Sequence, residues 1–178
     1  PAPCEGSCTL GLNDEPVAIK NIELALVENG WENDWIKPKI SKHKLNKKVA
    51  VIGSGPAGLA AAQGLTRFGY DVTVYERDER AGGLLRFGIP DFKLEKSVVE
   101  RRIEQMEAEG TTFVYNTQVG KDIPVKTIDD EYDAVVISSG SKKPRNLQIQ
   151  GRHYKGIHYA MDFLTQQNRK NNNIPLYD

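Results

Sequence analysis

The sequence predicts an α/β fold: a parallel sheet whose strands alternate with helices, preceded by a short helical region. Short runs rich in β-branched and aromatic residues recur between residues 47 and 150, and helical patterns lie between them. A glycine-rich turn joins the first of these runs to a helix of small residues. Strands that alternate with helices favour a parallel sheet with right-handed connections.

The individual elements follow from the period of the apolar residues. Helices are predicted at 21–30, 59–65, 96–109 and 157–168, and strands at 49–52, 72–75, 112–115 and 134–138. In the third helix, Val99, Ile103 and Met106 recur at helical spacing and predict a stripe that faces the core. The lysine-rich stretch before the first strand is interpreted as a solvated linker.

Residues 47–58 read Lys-Lys-Val-Ala-Val-Ile-Gly-Ser-Gly-Pro-Ala-Gly, a buried strand that runs into a glycine-rich turn. Gly53 permits the tight turn, Gly55 lets the backbone approach a pyrophosphate, and Gly58 lets the helix pack closely on the strand. Glu76 ends the second strand, where a carboxylate can accept hydrogen bonds from a ribose. Strand, turn, helix and acid together predict a Rossmann-like βαβ unit that binds a dinucleotide.

Two further glycine segments favour FAD over a nicotinamide cofactor. Gly82 and Gly83 follow the second strand closely, where a backbone segment can close over the cofactor, and Gly140 follows the fourth strand. The alternative, a simple NAD-binding Rossmann protein, predicts that NAD rather than FAD raises the melting temperature. The carboxylate of Glu76 would repel a 2′-phosphate, which disfavours NADP at this site.

The amino-acid composition limits the classes of partner that the chain is expected to bind. The 178 residues include 24 basic and 24 acidic side chains, so charge gives no reason to propose a nucleic-acid partner. No apolar run is long enough to span a membrane and no signal peptide is visible, so we expect a cytoplasmic protein without a membrane partner. The chain starts at Pro1 without a methionine, and we expect it to be a piece of a longer protein.

The chain resembles the glutamate synthase small (beta) subunit family along essentially its whole length. The resemblance is carried by the glycine-rich turn with Glu76, by the Arg-Ala-Gly-Gly and Gly-Ile-Pro segments, by the opening Pro-Ala-Pro-Cys-Glu-Gly-Ser-Cys, and by the stretches at 17–23, 31–38 and 155–164. Where the family usually has Ala-Thr-Gly, this chain has Ser-Ser-Gly at 138–140. The related module of dihydropyrimidine dehydrogenase, transhydrogenase or sulfide dehydrogenase stays open as an alternative.

The resemblance implies an oxidoreductase, a flavoprotein in which electrons pass from NADPH to FAD, and then through two 4Fe-4S iron–sulfur clusters to a partner, the large (alpha) subunit, for glutamate biosynthesis. It implies a set of FAD-binding residues, namely Gly53, Ser54, Gly55, Pro56, Ala57, Gly58, Glu76, Arg77, Gly83, Leu84, Lys93, Val119 and Gly140. Glu76 would bind the adenosine ribose, Lys93 would be a basic contact, and the backbone of Val119 would meet the adenine. Gly83 and Leu84 would cover the flavin side, and Gly140 would lie near the pyrophosphate.

No side chain is expected to be catalytic. The three histidines are scattered without a carboxylate or a metal-type spacing, and hydride transfer leaves the chemistry to the cofactor.

Cys4 and Cys8, spaced C-x3-C, lie in the segment that resembles the family's iron–sulfur region. The resemblance implies that both are cluster ligands in the parent protein. A 4Fe-4S cluster normally takes four thiolates, so we expect these two cysteines to hold no cluster in this chain. As isolated thiols they could also be free or form a disulfide. Both interpretations stay open at this point.

Three regions are therefore expected. Residues 1–46 would be the end of a helical 4Fe-4S domain with its linker, residues 47–150 the first half of an FAD-binding Rossmann-like domain, and residues 151–178 a connection toward an NADPH domain outside the chain. An inert truncated domain without activity of its own is the non-enzyme alternative.

Overall fold

The computed structural model describes residues 2–176 and divides the chain into two compact units, Pro1–Lys37 and Pro38–Asp178. The first residue and the last two, which belong to the predicted first and third regions, lie outside the described residues. The boundary between the units falls nine residues before the predicted domain boundary at 46/47. The assignment of domains to functions stays a prediction.

The first unit is helical. It holds α1 (Pro3–Gly6), a 3-10 turn at Thr9–Leu12 and α2 (Ile19–Glu32). The sequence predicted that α2 ends at Gly30, which was wrong by two residues. The Gly30 carbonyl instead accepts hydrogen bonds from the backbone N–H groups of Trp35 and Ile36, so the chain turns back over the last turn of the helix.

The second unit contains a parallel sheet of four strands, in the order β3-β2-β1-β4. The strands are β1 (Lys48–Ile52), β2 (Asp71–Tyr75), β3 (Thr112–Val114) and β4 (Ala134–Ile137). The helices are α3 (Pro56–Phe68), α4 (Leu84–Phe87), α5 (Lys96–Glu109), α6 (Val125–Glu131) and α7 (Ala160–Asn171).

The predicted α/β class and all four strands are confirmed, with bounds that differ by at most one residue at each end. The helix at 96–109 has the predicted bounds, and α3 extends beyond the predicted 59–65 in both directions. The predicted helix at 157–168 begins three residues later, at Ala160. Three short helices, α1, α4 and α6, were not predicted, because four to seven residues are too few for a clear helical period.

The two faces of the sheet are covered unequally. One face packs against α3 and α5, where Val51, Val74, Ile103 and Met106 are almost completely buried. This confirms the predicted stripe on α5. The other face holds a smaller cluster around Ala50, Tyr75 and Ile128 of α6. On β4 the Ile137 side chain is 79% exposed.

The lysine-rich segment before β1 is exposed, but its backbone forms hydrogen bonds with residues at the ends of α3 and α5. Leu45 donates a hydrogen bond to the Gly69 carbonyl at 2.9 Å, and the N–H of Lys39 donates to the carboxylate of Glu109 at 3.1 Å. The prediction of a solvated linker is therefore right for most side chains and wrong for the backbone. Glu109 is buried and also accepts hydrogen bonds from Arg67, Gln63 and Gln105.

None of the helices within residues 2–176 combines the length and the apolar character that crossing a bilayer requires.

Candidate functional site

A cavity of about 340 Å³ opens at the carboxyl end of the sheet. The loops that follow all four strands contribute to it, as expected where parallel strands end at one edge. Its lining comprises the strand-end residues Ile52 of β1 and Tyr75 of β2, then Gly53, Ser54, Gly55, Pro56 and Ala57 after β1, Glu76, Arg77, Asp78, Gly83 and Leu84 after β2, Thr117, Gln118 and Val119 after β3, and Ser138, Ser139, Gly140, Ser141 and Lys142 after β4.

The N-terminus of α3 lies at this cavity. Gly53 makes the turn out of β1 at a φ of 100°, a conformation that glycine adopts without strain. Gly55 is the N-cap and Pro56 follows it, and among the described residues no side chain caps the helix. The first N–H groups of α3 and its dipole therefore favour an anion at this end.

Space for that anion exists beside Gly55. A Cβ built on Gly55 would meet no protein atom within 4 Å, although the residue lines the cavity. Its backbone dihedrals of −68° and 179° are open to any residue. Glycine is thus required here neither by the turn nor by packing, and the space beside it is open to a ligand.

Gly58 serves packing rather than the cavity. A Cβ at this position would overlap the carbonyl oxygen of Gly53 and lie 2.7 Å from Ser138 Oγ. The missing side chain lets α3 sit directly on the ends of β1 and β4. This is the role that the sequence predicted for Gly58.

The buried side chains of Ser54 and Glu76 are hydrogen-bonded to each other at the floor of the cavity. One oxygen of the Glu76 carboxylate accepts hydrogen bonds from the Ser54 N–H, at 3.0 Å, and from the Ser54 hydroxyl. The other oxygen accepts the N–H of Asp78 at 3.0 Å. The Gly82 N–H lies within hydrogen-bond distance of both the carbonyl and the hydroxyl oxygen of Ser54. These hydrogen bonds join the loops after β1 and β2.

The Gly82-Gly83 segment closes one side of the cavity. Gly83 has a φ of 51°, and a Cβ there would lie 2.9 Å from the Gly55 Cα. Only glycine can therefore hold the two loops this close. Leu84, half exposed at 48%, begins α4 and lines the cavity with an apolar side chain.

The cavity lining also carries an ion pair that the sequence did not predict. Lys142 Nζ, in the loop after β4, lies 3.3 Å from Asp78 Oδ2 in the loop after β2. Both residues line the cavity.

The ionisable side chains of the described lining are Glu76, Arg77, Asp78, Lys142 and Tyr75. The only aromatic hydroxyl in the described lining belongs to Tyr75, which is hydrogen-bonded to the Tyr132 hydroxyl at 3.0 Å. Burial, with this hydrogen bond, raises the pKa of Tyr75 far above its ordinary value, so the phenol stays protonated at neutral pH. No histidine or cysteine belongs to this lining.

Eleven of the thirteen predicted cofactor residues lie together in the lining: Gly53, Ser54, Gly55, Pro56, Ala57, Glu76, Arg77, Gly83, Leu84, Val119 and Gly140. Gly58 lies beneath the loop, as described above. Lys93 does not line the cavity; its side chain is exposed, with Nζ 5.9 Å from the centre of the Phe92 ring. That these residues bind a cofactor stays a prediction.

Sequence reasoning missed two kinds of residue. Thr117 and Gln118 could have been found, because they follow β3 and the carboxyl ends of parallel strands share an edge. The pairing of Asp78 with Lys142 has no signal in the sequence. Neither has the buried Lys96, whose ammonium donates to the carbonyls of Ile89 and Leu94 and so holds the turn before α5.

The two cysteines lie in the first unit. Both thiols are free; Cys4 is exposed in α1 and Cys8 precedes the 3-10 turn. Backbone hydrogen bonds at Val17 and Leu10 lower the pKa of the Cys8 thiol. Within residues 2–176 no group of three or more histidine, cysteine, aspartate or glutamate side chains is arranged to hold a metal ion.

Comparisons with known proteins find similar sequences and similar structures. The sequence model of the pyridine nucleotide-disulphide oxidoreductases covers residues 47–174. The chain is 55% identical to the small chain of NADPH glutamate synthase from Bacillus subtilis over 93% of its own length and 34% of that protein. It is 52% identical to NADH glutamate synthase from Schizosaccharomyces pombe over 92% of this chain and 8% of that protein. The predicted resemblance to the small-chain family is thereby confirmed.

Among solved structures, FprA from Mycobacterium tuberculosis in complex with NADPH superimposes with a TM-score of 0.61 at 28% identity, over 68% of this chain and 29% of that one. The chain spans about a third of the length of the bacterial small chains that it matches.

Proposed function

The chain belongs to the pyridine nucleotide-disulphide oxidoreductase family, and from that premise we propose that its cavity binds FAD in a glutamate synthase small-chain-like flavoprotein. The observation that carries the proposal is the free space beside Gly55. It lies at the uncapped N-terminus of α3 and is bounded by Gly83, a combination suited to a pyrophosphate. FAD would supply the redox chemistry, and the protein would bind and orient it.

FAD is proposed over NAD because of the loop after β2. Gly83 lies against Gly55, and Leu84 adds an apolar wall beside the phosphate loop. The glutamate synthases among the relatives are named for NADPH or NADH, which we propose as the electron donor bound by a part of the protein outside this chain. Glu76, at the end of β2, disfavours the 2′-phosphate of NADPH in the cavity itself.

A pair of glycine variants separates binding from folding. Gly55→Ala adds a methyl group to the cavity without a clash, so the melting temperature should not fall while FAD affinity falls about tenfold or more. Gly64→Ala, in the same helix and also in open space, should leave FAD affinity unchanged. It should stabilise the fold by about 0.5–1 kcal/mol. Affinity is measured by flavin absorbance and fluorescence, and stability by thermal unfolding.

The choice of cofactor is tested by adding FAD, NAD and NADP separately to protein stripped of cofactor. FAD should raise the melting temperature and develop flavin absorbance bands, and the other two should not. Stabilisation by NAD with none by FAD would replace this proposal with the simple NAD-binding protein. If Gly55→Ala and Gly64→Ala changed FAD affinity equally, the space beside Gly55 would not be the FAD-binding site.

The parent activity is proposed from the relatives. Electrons would pass from NADPH through FAD and iron–sulfur clusters to a large subunit that makes glutamate, in the cytoplasm. Cys4 and Cys8 supply two of the four thiolates that a 4Fe-4S cluster takes, so we propose them as ligands only together with thiolates from outside this chain. NADPH-dependent reduction of a dye by the full-length protein, with and without the large subunit, tests this function. No observation favours the related dehydrogenase and transhydrogenase modules.

A further inference from the structure

We propose that Lys142 is a further binding residue of the cavity, one that contacts the diphosphate of the dinucleotide and is held in position by Asp78. The inference rests on the proposed function. It assigns a role to a lysine that no part of the glycine-rich pattern includes.

The ion pair joins two loops that lie on either side of β1. In the sheet, β2 and β4 flank β1 on its two sides. Asp78 lies three residues after the end of β2, and Lys142 lies five residues after the end of β4. A contact of 3.3 Å between their charged groups therefore spans the carboxyl end of β1, where the phosphate loop begins. A dinucleotide on that loop lies within reach of this pair.

The charge of the cavity also favours a cation beside a bound diphosphate. Its described lining contains two carboxylates, Glu76 and Asp78, and two cations, Arg77 and Lys142, which sum to zero. A diphosphate adds two negative charges, of which the N-terminus of α3 compensates about half a charge. The remaining charge calls for a cation at the loop. Of the two cations in the described lining, Lys142 is the one whose contact with Asp78 joins the loops on both sides of β1.

The two side chains of the ion pair differ in their exposure to solvent. The Asp78 side chain is 10% exposed and belongs to the cavity wall, whereas the Lys142 side chain is 49% exposed at the mouth. An ammonium group has three donors, and the hydrogen bond to Asp78 uses one. Lys142 can therefore contact a phosphate oxygen while Asp78 still orients it.

The test compares FAD binding by four forms of the full-length protein after removal of its cofactor: wild type, Lys142→Ala, Lys142→Arg and Lys143→Ala. Lys143 is the matched control, because it is the adjacent exposed lysine and does not line the cavity. Dissociation constants are measured from flavin fluorescence at several concentrations of NaCl. Circular dichroism confirms that each variant is folded.

At low salt, Lys142→Ala should weaken FAD binding about fivefold, since the contact is half exposed. The deficit should shrink as salt screens the charge. Lys142→Arg should bind like the wild type, and Lys143→Ala should stay within about twofold of it. Equal behaviour of the two alanine variants at every salt concentration, or a deficit that salt does not change, would overturn the role of Lys142. A wild type that binds no FAD would instead overturn the proposed function itself.

Discussion

Glu76 ends β2 where the sequence predicts a ribose ligand, yet its carboxylate already accepts three hydrogen bonds from Ser54 and Asp78. A carboxylate offers about four lone-pair sites, so acceptor capacity remains for a ribose hydroxyl. The residue therefore organises the two loops as well as facing the cavity. The motif in the sequence indicates only the second role, because the positions of the donors depend on how the loops fold.

Glu109 offers a test of a buried charge at the level of one residue. Burial alone would raise the pKa of this carboxyl, but hydrogen bonds from Arg67, the Lys39 backbone and Gln63 outweigh it and hold the pKa below its ordinary value. Glu109→Gln replaces one carboxylate oxygen, an acceptor, by an NH₂ group, a donor. That NH₂ group would face the N–H donors of Arg67, Lys39 and Gln63. We expect it to lower the free energy of unfolding at pH 7 by about 2–4 kcal/mol in urea titrations.

The lowered pKa of Glu109 also predicts how the effect of Glu109→Gln on stability should change with pH. A carboxyl whose pKa is lowered in the folded state stabilises the fold above its ordinary pKa of about 4.3 and loses that contribution as the pH falls through the folded value. The difference between Glu109→Gln and wild type should therefore shrink below about pH 4. Glu107→Gln, an exposed position on the same helix, should change stability by less than about 0.5 kcal/mol. Equal effects of the two variants would contradict the argument.

At the scale of elements, α7 is fixed to the segment around α4 by buried polar groups. Arg169 forms an ion pair with Glu79 at 2.7 Å and donates to the Pro175 carbonyl, and its guanidinium lies 5.5 Å from the centre of the Phe87 ring. Asn168 donates to the Phe87 carbonyl at 3.1 Å. Because α4 begins at the cavity wall, the position of α7 is linked to the shape of the site.

Arg169→Ala should release α7 from α4. The variant leaves the half-buried Glu79 carboxylate without this partner, and we expect it to cost about 3 kcal/mol in urea unfolding. Limited proteolysis should then cut within α7. Lys170→Ala, at the next and exposed position, should change neither result. Equal protease resistance of the two variants would show that Arg169 does not hold the helix.

At the scale of the whole molecule, the sheet of the second unit is covered well on one face and sparsely on the other. Val135 and Ile137 of β4 lie on the face of Ala50 and Ile52, since parallel partners in register point the same way. That face is covered by α6 around Ile128, while Ile137 remains mostly exposed. The stability of this unit therefore depends mainly on the face under α3 and α5.

Two substitutions of the same kind test this asymmetry. Ile103→Ala, in the buried cluster under α5, should cost about 2–5 kcal/mol of the free energy of unfolding. Ile137→Ala should cost less than about 0.5 kcal/mol, because the side chain is already 79% exposed. Urea titrations of both variants provide the measurement. A large loss for Ile137→Ala would mean that the exposed face is covered in solution.

Much of the second unit was predictable from local patterns. The strands and α5 follow from apolar periodicity, and the phosphate loop follows from glycine spacing. The short helices were not predictable, since they exist by virtue of their tertiary contacts rather than a period of their own. Lys93 was predicted to lie at the site because relatives place a basic contact there, but the exposed turn that carries it lies outside the cavity lining.

Local residue patterns were enough to predict the succession of strands and helices along the chain, the phosphate loop and the acid that ends β2, because each depends on residues close together in the chain. Which loops meet becomes known from the folded structure alone. Gly83 against Gly55, Lys142 against Asp78 and Arg169 against Glu79 each join segments that lie far apart in sequence. Such contacts are fixed by the register of the parallel strands and the close seating of α3 at Gly58, and no local pattern contains them.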